Sequence, residues 1–210
     1  MIDRAAIGRR FARLATDAAV RSPLLWKLFR PFVRRQFDAL APVWDSMRLE
    51  DTFAPYEAAL DRLDGAPARV LDVGTGTGAG ALTLARRFPE AEIVGVDLSD
   101  AMLALARGNT PVELRGRVTY QRGDASALLF PDASFDLVAH ANMIPFFDEV
   151  ARLVAPGGHA LFAFSSGAET PIYVPSERLR EELTRRGFTD FADVRAGRGN
   201  ALLARKAGGT

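Results

Sequence analysis

Asp72-Val73-Gly74-Thr75-Gly76-Thr77-Gly78 is the stretch on which the reading of the fold turns. It follows the apolar run Arg69–Val73 and precedes a helical pattern at Ala79–Phe88, so it is a strand-to-helix loop. Alternating glycines allow positive φ and let a ligand approach the backbone, while the helix start offers unbonded N–H groups to an anion. Gly74 to Ala79 also fits the G-x-G-x-x-G/A pattern of dinucleotide-binding folds, so the loop alone does not choose a ligand.

Outward from this loop, short apolar runs alternate with helical patterns, the mark of a parallel sheet covered on both faces. Strands are expected at Arg69–Val73, Glu92–Val96, Val118–Arg122, Phe135–Ala141 and His159–Ser165, with helices at Ala79–Phe88, Asp100–Gly108 and Phe146–Val154. Pro156-Gly157-Gly158 is expected to stop the last of these helices and turn the chain into the fifth strand. Ser176–Arg186 reads as an amphipathic helix, with Ser176 as N-cap and Gly187 as its stop. Strands near Asp190–Ala196 and Ala201–Arg205 follow, and the short linker Gly197-Arg198-Gly199-Asn200 makes them an antiparallel hairpin.

Residues 1–65 form a region read as helices only: Arg4–Ala19, Leu24–Phe29, Pro31–Leu40 and Tyr56–Leu63, punctuated by Pro23, Pro31, Pro42 and Pro55. Leu24, Leu25, Leu28, Phe29, Phe32, Val33 and Phe37 recur at helical spacing, with Lys27, Arg30, Arg34 and Arg35 between them. Three uses fit: packing on the sheet domain, a cap over a site, or a peripheral membrane or dimer contact.

Three acidic positions carry the chemistry. Asp97 closes the second strand in Val94-Gly95-Val96-Asp97-Leu98-Ser99, where a carboxylate can accept from both hydroxyls of an adenosine ribose. Asp72 stands two residues before the first glycine, a place usually apolar in dinucleotide folds. There it can orient the loop or meet a cationic amino group. In Gly123-Asp124-Ala125, at the end of the third strand, a carboxylate can accept from an adenine amine.

In order and spacing these features resemble the class I S-adenosylmethionine-dependent methyltransferases, especially the broad group that includes quinone-biosynthesis methyltransferases. The likeness covers about residues 66–206, and Phe135-Asp136-Leu137-Val138 and Pro156-Gly157-Gly158 also fit it. It implies an α/β, Rossmann-like seven-stranded mixed sheet of order 3-2-1-4-5-7-6 with strand seven antiparallel, preceded by an N-terminal helical cap over residues 1–65. The cofactor implied is S-adenosyl-L-methionine, held by Asp72, Gly74, Thr75, Gly76 and Gly78, by Asp97 and Leu98, and by Asp124 and Ala125. Phe37-Asp38-Ala39-Leu40-Ala41-Pro42-Val43-Trp44-Asp45 is similar to a segment that folds over the cofactor in that group, which adds Phe37 and Trp44. Two departures concern the acceptor: the segment His140–Pro145 lacks the family's His-His pair, and it lacks the Asn-Pro-Pro-aromatic tetrapeptide of enzymes that methylate DNA amines.

Composition narrows the rest. The chain has 210 residues, no cysteine and only two histidines, which excludes thiolate chemistry and a His-rich metal site. A net charge of +1 argues against a protein built to bind nucleic acid. Residues 1–48 nevertheless carry a net +6 and the remainder −5. Only Lys27 and Lys206 are lysines, so the arginine content reflects overall composition bias rather than a function. No apolar run or leader pattern stands out, and a cytoplasmic location is expected. Methyl transfer needs mainly positioning. If a base is required, His140, near the carboxyl ends of the central strands, is the candidate both for catalysis and for cofactor contact. His159 lies at the opposite end of the sheet. An apolar or aromatic small molecule is the expected acceptor, against two alternatives: an NAD(P)-dependent oxidoreductase and a non-catalytic adenosyl-cofactor-binding protein.

Overall fold

A computed structural model of the chain describes residues 23–209 together with Arg13 and Thr16. The helix expected at Arg4–Ala19 therefore lies outside the described residues, those two apart. The elements are α1 (Pro23–Leu40), α2 (Ala54–Leu60), β1 (Arg69–Val73), α3 (Ala79–Arg87), β2 (Glu92–Asp97), α4 (Asp100–Asn109), β3 (Val118–Arg122), β4 (Phe135–Ala141), α5 (Phe147–Leu153), β5 (Val154–Phe164), α6 (Ser176–Thr184), β6 (Phe188–Ala196) and β7 (Gly199–Lys206). The seven strands form one sheet of order β3-β2-β1-β4-β5-β7-β6. β7 is antiparallel to both neighbours and the other pairings are parallel. The expected fold class and strand order are those observed.

The five inner strands are largely buried on both faces while the edge strands β3 and β6 are partly exposed, so the sheet separates two cores. Val70, Ile93, Leu137, Leu161 and Leu203 pack with Tyr56 and Leu60 of α2 and Leu84 of α3. Leu71, Val138, Phe162 and Leu202 pack on the other side with Phe147 and Val150 of α5, Leu179 and Leu183 of α6, and Trp26 of α1. Asp136 anchors the start of β1 by accepting from the N–H groups of Ala68 and Arg69 at 2.8 and 2.9 Å. Among the described residues no helix is long and apolar enough to cross a membrane.

Three local expectations are corrected. Pro31 does not divide the N-terminal region: α1 is one helix of 18 residues with Pro31 inside it. Pro156-Gly157-Gly158 is not a turn before the fifth strand but an irregularity within it, since β5 advances from Val154 to His159 while β4 advances from Phe135 to Leu137. Ser176 is the first helical residue of α6 and gives no cap bond, Pro175 taking the cap position. Gly187 follows that helix with φ +85°.

Between α1 and α2 lie two short 3-10 turns, Ala41–Val43 and Asp45–Met47. With α1 they make a strap across the carboxyl ends of the strands, tied down at successive loops. Trp26 Nε1 and Arg30 Nη1 each donate to Asp124 after β3 at 2.8 Å. Ser99 Oγ, after β2, donates to Asp38 at 2.6 Å. Thr77 Oγ1, after β1, donates to Asp45 at 2.6 Å. Beyond the strap, Arg198 in the β6–β7 turn donates to both oxygens of Asp51 at 2.9 and 3.1 Å.

Candidate functional site

Under the strap is a cavity of about 370 Å³ at the carboxyl ends of β1 to β5. This is where open parallel sheets place ligands, because the chain crosses from one face to the other on either side of β1 and leaves a crevice. Its floor is the loop Gly74–Thr77 with Asp72 beneath it, and Asp97, Leu98, Asp124 and Ala125 form one side. Phe37 and Trp44 cover it from the strap, their rings edge to face with centroids 5.4 Å apart. Of the residues expected from the sequence, the structure thus brings all but Gly78 and His140 to one cavity.

The loop is shaped by its glycines. Gly74, Gly76 and Gly78 take φ of +72°, +54° and +89°, which side chains with a Cβ adopt at a cost. A Cβ on Gly74 would lie 2.8 Å from Met143 Sδ. Gly78 faces away from the cavity: its Cβ would meet the Tyr120 hydroxyl at 2.7 Å and Ala106 of α4 at 3.1 Å, so it allows helix packing. It is also the N-cap of α3 and gives no side-chain cap, which leaves the first N–H groups of that helix facing the loop.

Asp72 is 1% exposed. It accepts from Thr75 Oγ1 at 2.6 Å, and a Cβ on Gly80 would lie 2.8 Å from both of its oxygens. Burial raises its carboxyl to about 6, against the hydrogen bonds from Thr75 and the Ala81 N–H that favour the charge. Asp97 accepts the Gly76 N–H on one oxygen at 2.9 Å and the Ser99 N–H on the other at 2.8 Å. Burial raises it too, opposed by those two amides. Each Asp97 oxygen keeps a lone pair, so the group can accept from two further hydroxyls. Asp124 differs. Burial works to raise its carboxyl, but Arg30, Ser126 and Trp26 together hold it below the ordinary range. One oxygen receives Trp26 Nε1 and both the N–H and the hydroxyl of Ser126. Only the oxygen facing Arg30 has capacity left.

His140 is not among the cavity walls. It pairs in register with Val73 and Phe162, and residues in register share a face, so its ring points into the core on the α5 and α6 side. There it stacks on Phe162 with centroids 4.6 Å apart, and Nδ1 lies 3.3 Å from the Leu161 carbonyl oxygen. Burial lowers the imidazole to about 4, which keeps it neutral. The expected base and cofactor contact is a core residue. His159 lies midway along β5, beside Leu137 near the start of β4 and outside the cavity wall.

The rest of the wall was not legible in the sequence. Met47, Arg48, Leu49 and Phe53 come from the strap and the turn after it, and Asn142, Met143 and Ser165 from the loops after β4 and β5. Asn142 has φ +53°. Its amide donates to Ser165 Oγ at 3.0 Å, and its carbonyl oxygen accepts from the Ser165 N–H at 2.9 Å. This leaves the Ser165 hydroxyl proton free to turn to the cavity.

Comparison with known proteins agrees with this geometry. Residues 70–158 match the family described as a methyltransferase domain. Over 135 residues the chain is 45% identical to the demethylmenaquinone methyltransferase of Thermus thermophilus, covering 58% of this chain and 60% of that protein. Over 151 residues it is 36% identical to the malonyl-[acyl-carrier protein] O-methyltransferase of Halorhodospira halophila, covering 67% of this chain and 50% of that protein. The chain therefore spans between half and three fifths of these relatives. In fold it is similar to the phosphoethanolamine N-methyltransferase 2 of Haemonchus contortus, solved with S-adenosyl-L-methionine, with a TM-score of 0.67 at 22% identity over 85% of this chain and 60% of that one. With the glycine loop, the acids near the ends of β1 and β2 and the 3-2-1-4-5-7-6 sheet in place, residues 70–158 match a methyltransferase domain and the chain has the fold of the S-adenosylmethionine-dependent methyltransferases it resembles.

Proposed function

We propose that the protein transfers a methyl group from S-adenosylmethionine to a small apolar or aromatic metabolite. The observation that carries this reading is Asp97. Both its oxygens are oriented by backbone amides, the carboxylate retains acceptor capacity, and the residue lines a cavity whose floor is a glycine loop. Asp97 would hold the ribose hydroxyls, the Gly74–Gly76 backbone would admit the amino-acid end, and Leu98, Ala125 and Phe37 would enclose the adenine. Asp72 supports the loop from below and stays away from the reaction. The cofactor supplies an activated methyl group, so the chain's own work is to orient, to exclude water beneath Trp44 and Phe37, and to present the acceptor. The apolar character of the acceptor is supported by Met47, Leu49, Phe53 and Met143 on the wall. The named substrates of the relatives differ from one another, a quinone precursor in one and a carrier-bound acid in the other, and do not select one for this chain.

Calorimetry with S-adenosylhomocysteine and with NADH tests the reading. S-adenosylhomocysteine should bind and NADH should not. Asp97→Ala should weaken the former by about 2–4 kcal/mol while circular dichroism stays unchanged, because two charge-assisted hydrogen bonds are lost. Unchanged affinity would reduce Asp97 to a loop brace, and NADH binding in its place would favour an oxidoreductase.

A further inference from the structure

The cavity wall has an unusual inventory of titratable groups. Among the described residues it contains no histidine, glutamate, lysine or tyrosine. Its carboxylates are Asp72, Asp97 and Asp124, each already held by donors of the protein and all on the cofactor side. Among the described residues no side chain on the acceptor side of the wall is a ready base. Arg48, on the strap, is among the described residues the one basic side chain in the wall, at the border with a second cleft that Asp45, Glu50 and Glu57 also line. It pairs with Asp45, whose carboxylate also receives Thr77, and its guanidinium lies 5.9 Å from the centroid of the Phe53 ring. A guanidinium has five donors, and this ion pair leaves some of them free.

We infer that the acceptor is an organic anion, an apolar molecule bearing a carboxylate, an acidic phenol or an enol, and that Arg48 is the residue that selects it. This rests on the methyltransferase reading above and extends it to the acceptor. A neutral alcohol would need a base that the described wall lacks, whereas an ionised oxygen brings its own nucleophilic lone pair and, unlike an amine, has a use for a cation on that side. That oxygen forms the C–O bond to the methyl carbon as the C–S bond breaks, leaving the bonding electrons on sulfur as a neutral thioether. No proton changes hands. An anion and a sulfonium are consumed and two neutral products form, a change that a dry cavity favours because charge is lost on the way to products. Arg48 gives the anion a charge-assisted partner, and the free Ser165 hydroxyl proton supplies a second donor.

The test uses the full chain saturated with S-adenosylhomocysteine, with 2-naphthoate and its uncharged analogue 2-naphthamide as probes. Calorimetry should show the naphthoate binding about tenfold or more tightly than the amide, the ordinary worth of one charge-assisted pair. Arg48→Gln should abolish that ratio without changing affinity for S-adenosylhomocysteine, and Arg48→Lys should restore part of it, since the charge returns without the planar fork. Equal binding of the two probes by the parent protein, no naphthoate binding, or an undiminished ratio in Arg48→Gln would each overturn the inference. Failure of S-adenosylhomocysteine to bind at the outset would instead strike the underlying methyltransferase reading.

Discussion

Asp72 and His140 lie one strand apart at the centre of the sheet, and burial moves both away from their ordinary titration. The Asp72 carboxyl rises from 3.8 to about 6. Its contribution to stability is therefore complete below pH 3.8 and is lost as pH rises through about 6, because only the folded chain keeps that proton. The His140 imidazole falls from 6.5 to about 4. Its contribution is complete above pH 6.5 and is lost as pH falls through about 4, since only the unfolded chain is charged in between. Each shift corresponds to on the order of 3 kcal/mol across its window, with opposite signs, so the two nearly cancel between pH 4 and 6. Asp72→Asn removes one side of the balance. Its melting temperature should fall more steeply than the parent's on acidification from pH 6.5 to 4, and parallel curves would show that Asp72 titrates normally. Asp72 was legible in the sequence because its place beside a glycine loop is local. The face on which His140 lies was not, since it follows from strand register, and Arg48 reaches the cavity only through the path of the strap.

At the scale of elements, Ser99 joins the domain to the strap. Its hydroxyl accepts from the Met102 N–H at 3.1 Å as the N-cap of α4 and donates to Asp38 at 2.6 Å. Ser99→Ala should cost about 1–2 kcal/mol in denaturant unfolding, the range for a lost cap. It should also weaken S-adenosylhomocysteine binding, because Phe37 sits next to the released Asp38; unchanged affinity would mean the strap is held without this tether. The helices and strands flanking the glycine loop were legible because periodicity and turn residues act locally. α1 was not. Pro31 reads as a break, yet both Lys27, whose carbonyl loses its helical partner, and Pro31 are exposed, so water can satisfy that carbonyl. Burial of Trp26, with Phe29 and Val33 packed against the same core, then holds the helix together across the proline. The bulge in β5 escaped for a similar reason: proline and glycines signal a departure from regular pairing, and only the neighbouring strands decide whether the strand resumes.

For the whole molecule, we propose that the described part of the helical cap expected over residues 1–65, from residue 23 onward, folds as one unit with the sheet domain. Trp26 is 2% exposed and meets Phe146 edge to face at 5.3 Å, so it belongs to the core as much as to the cap. A chain beginning at Leu49 should melt about 10 °C or more below the parent, as expected when a buried tryptophan and its neighbours are removed from a domain of this size. An unchanged melting temperature would make the strap an independent appendage. The ties of the strap also carry a direction. From Asp51 back through Asp45 to Asp38 they are spaced roughly seven residues apart, so each closes only a short loop once its predecessor is made, and the last step docks α1 whole onto Asp124. Such an arrangement works as a zip fastener whose Asp124 end is the better held, since Trp26 is buried there while no residue of Asp45–Met47 is. Opening would start over the glycine loop and reach the adenine end last. Hydrogen exchange should then show amides near Asp45 opening ahead of those near Trp26 to Arg30, a gradient that a rigid hinged flap would not produce.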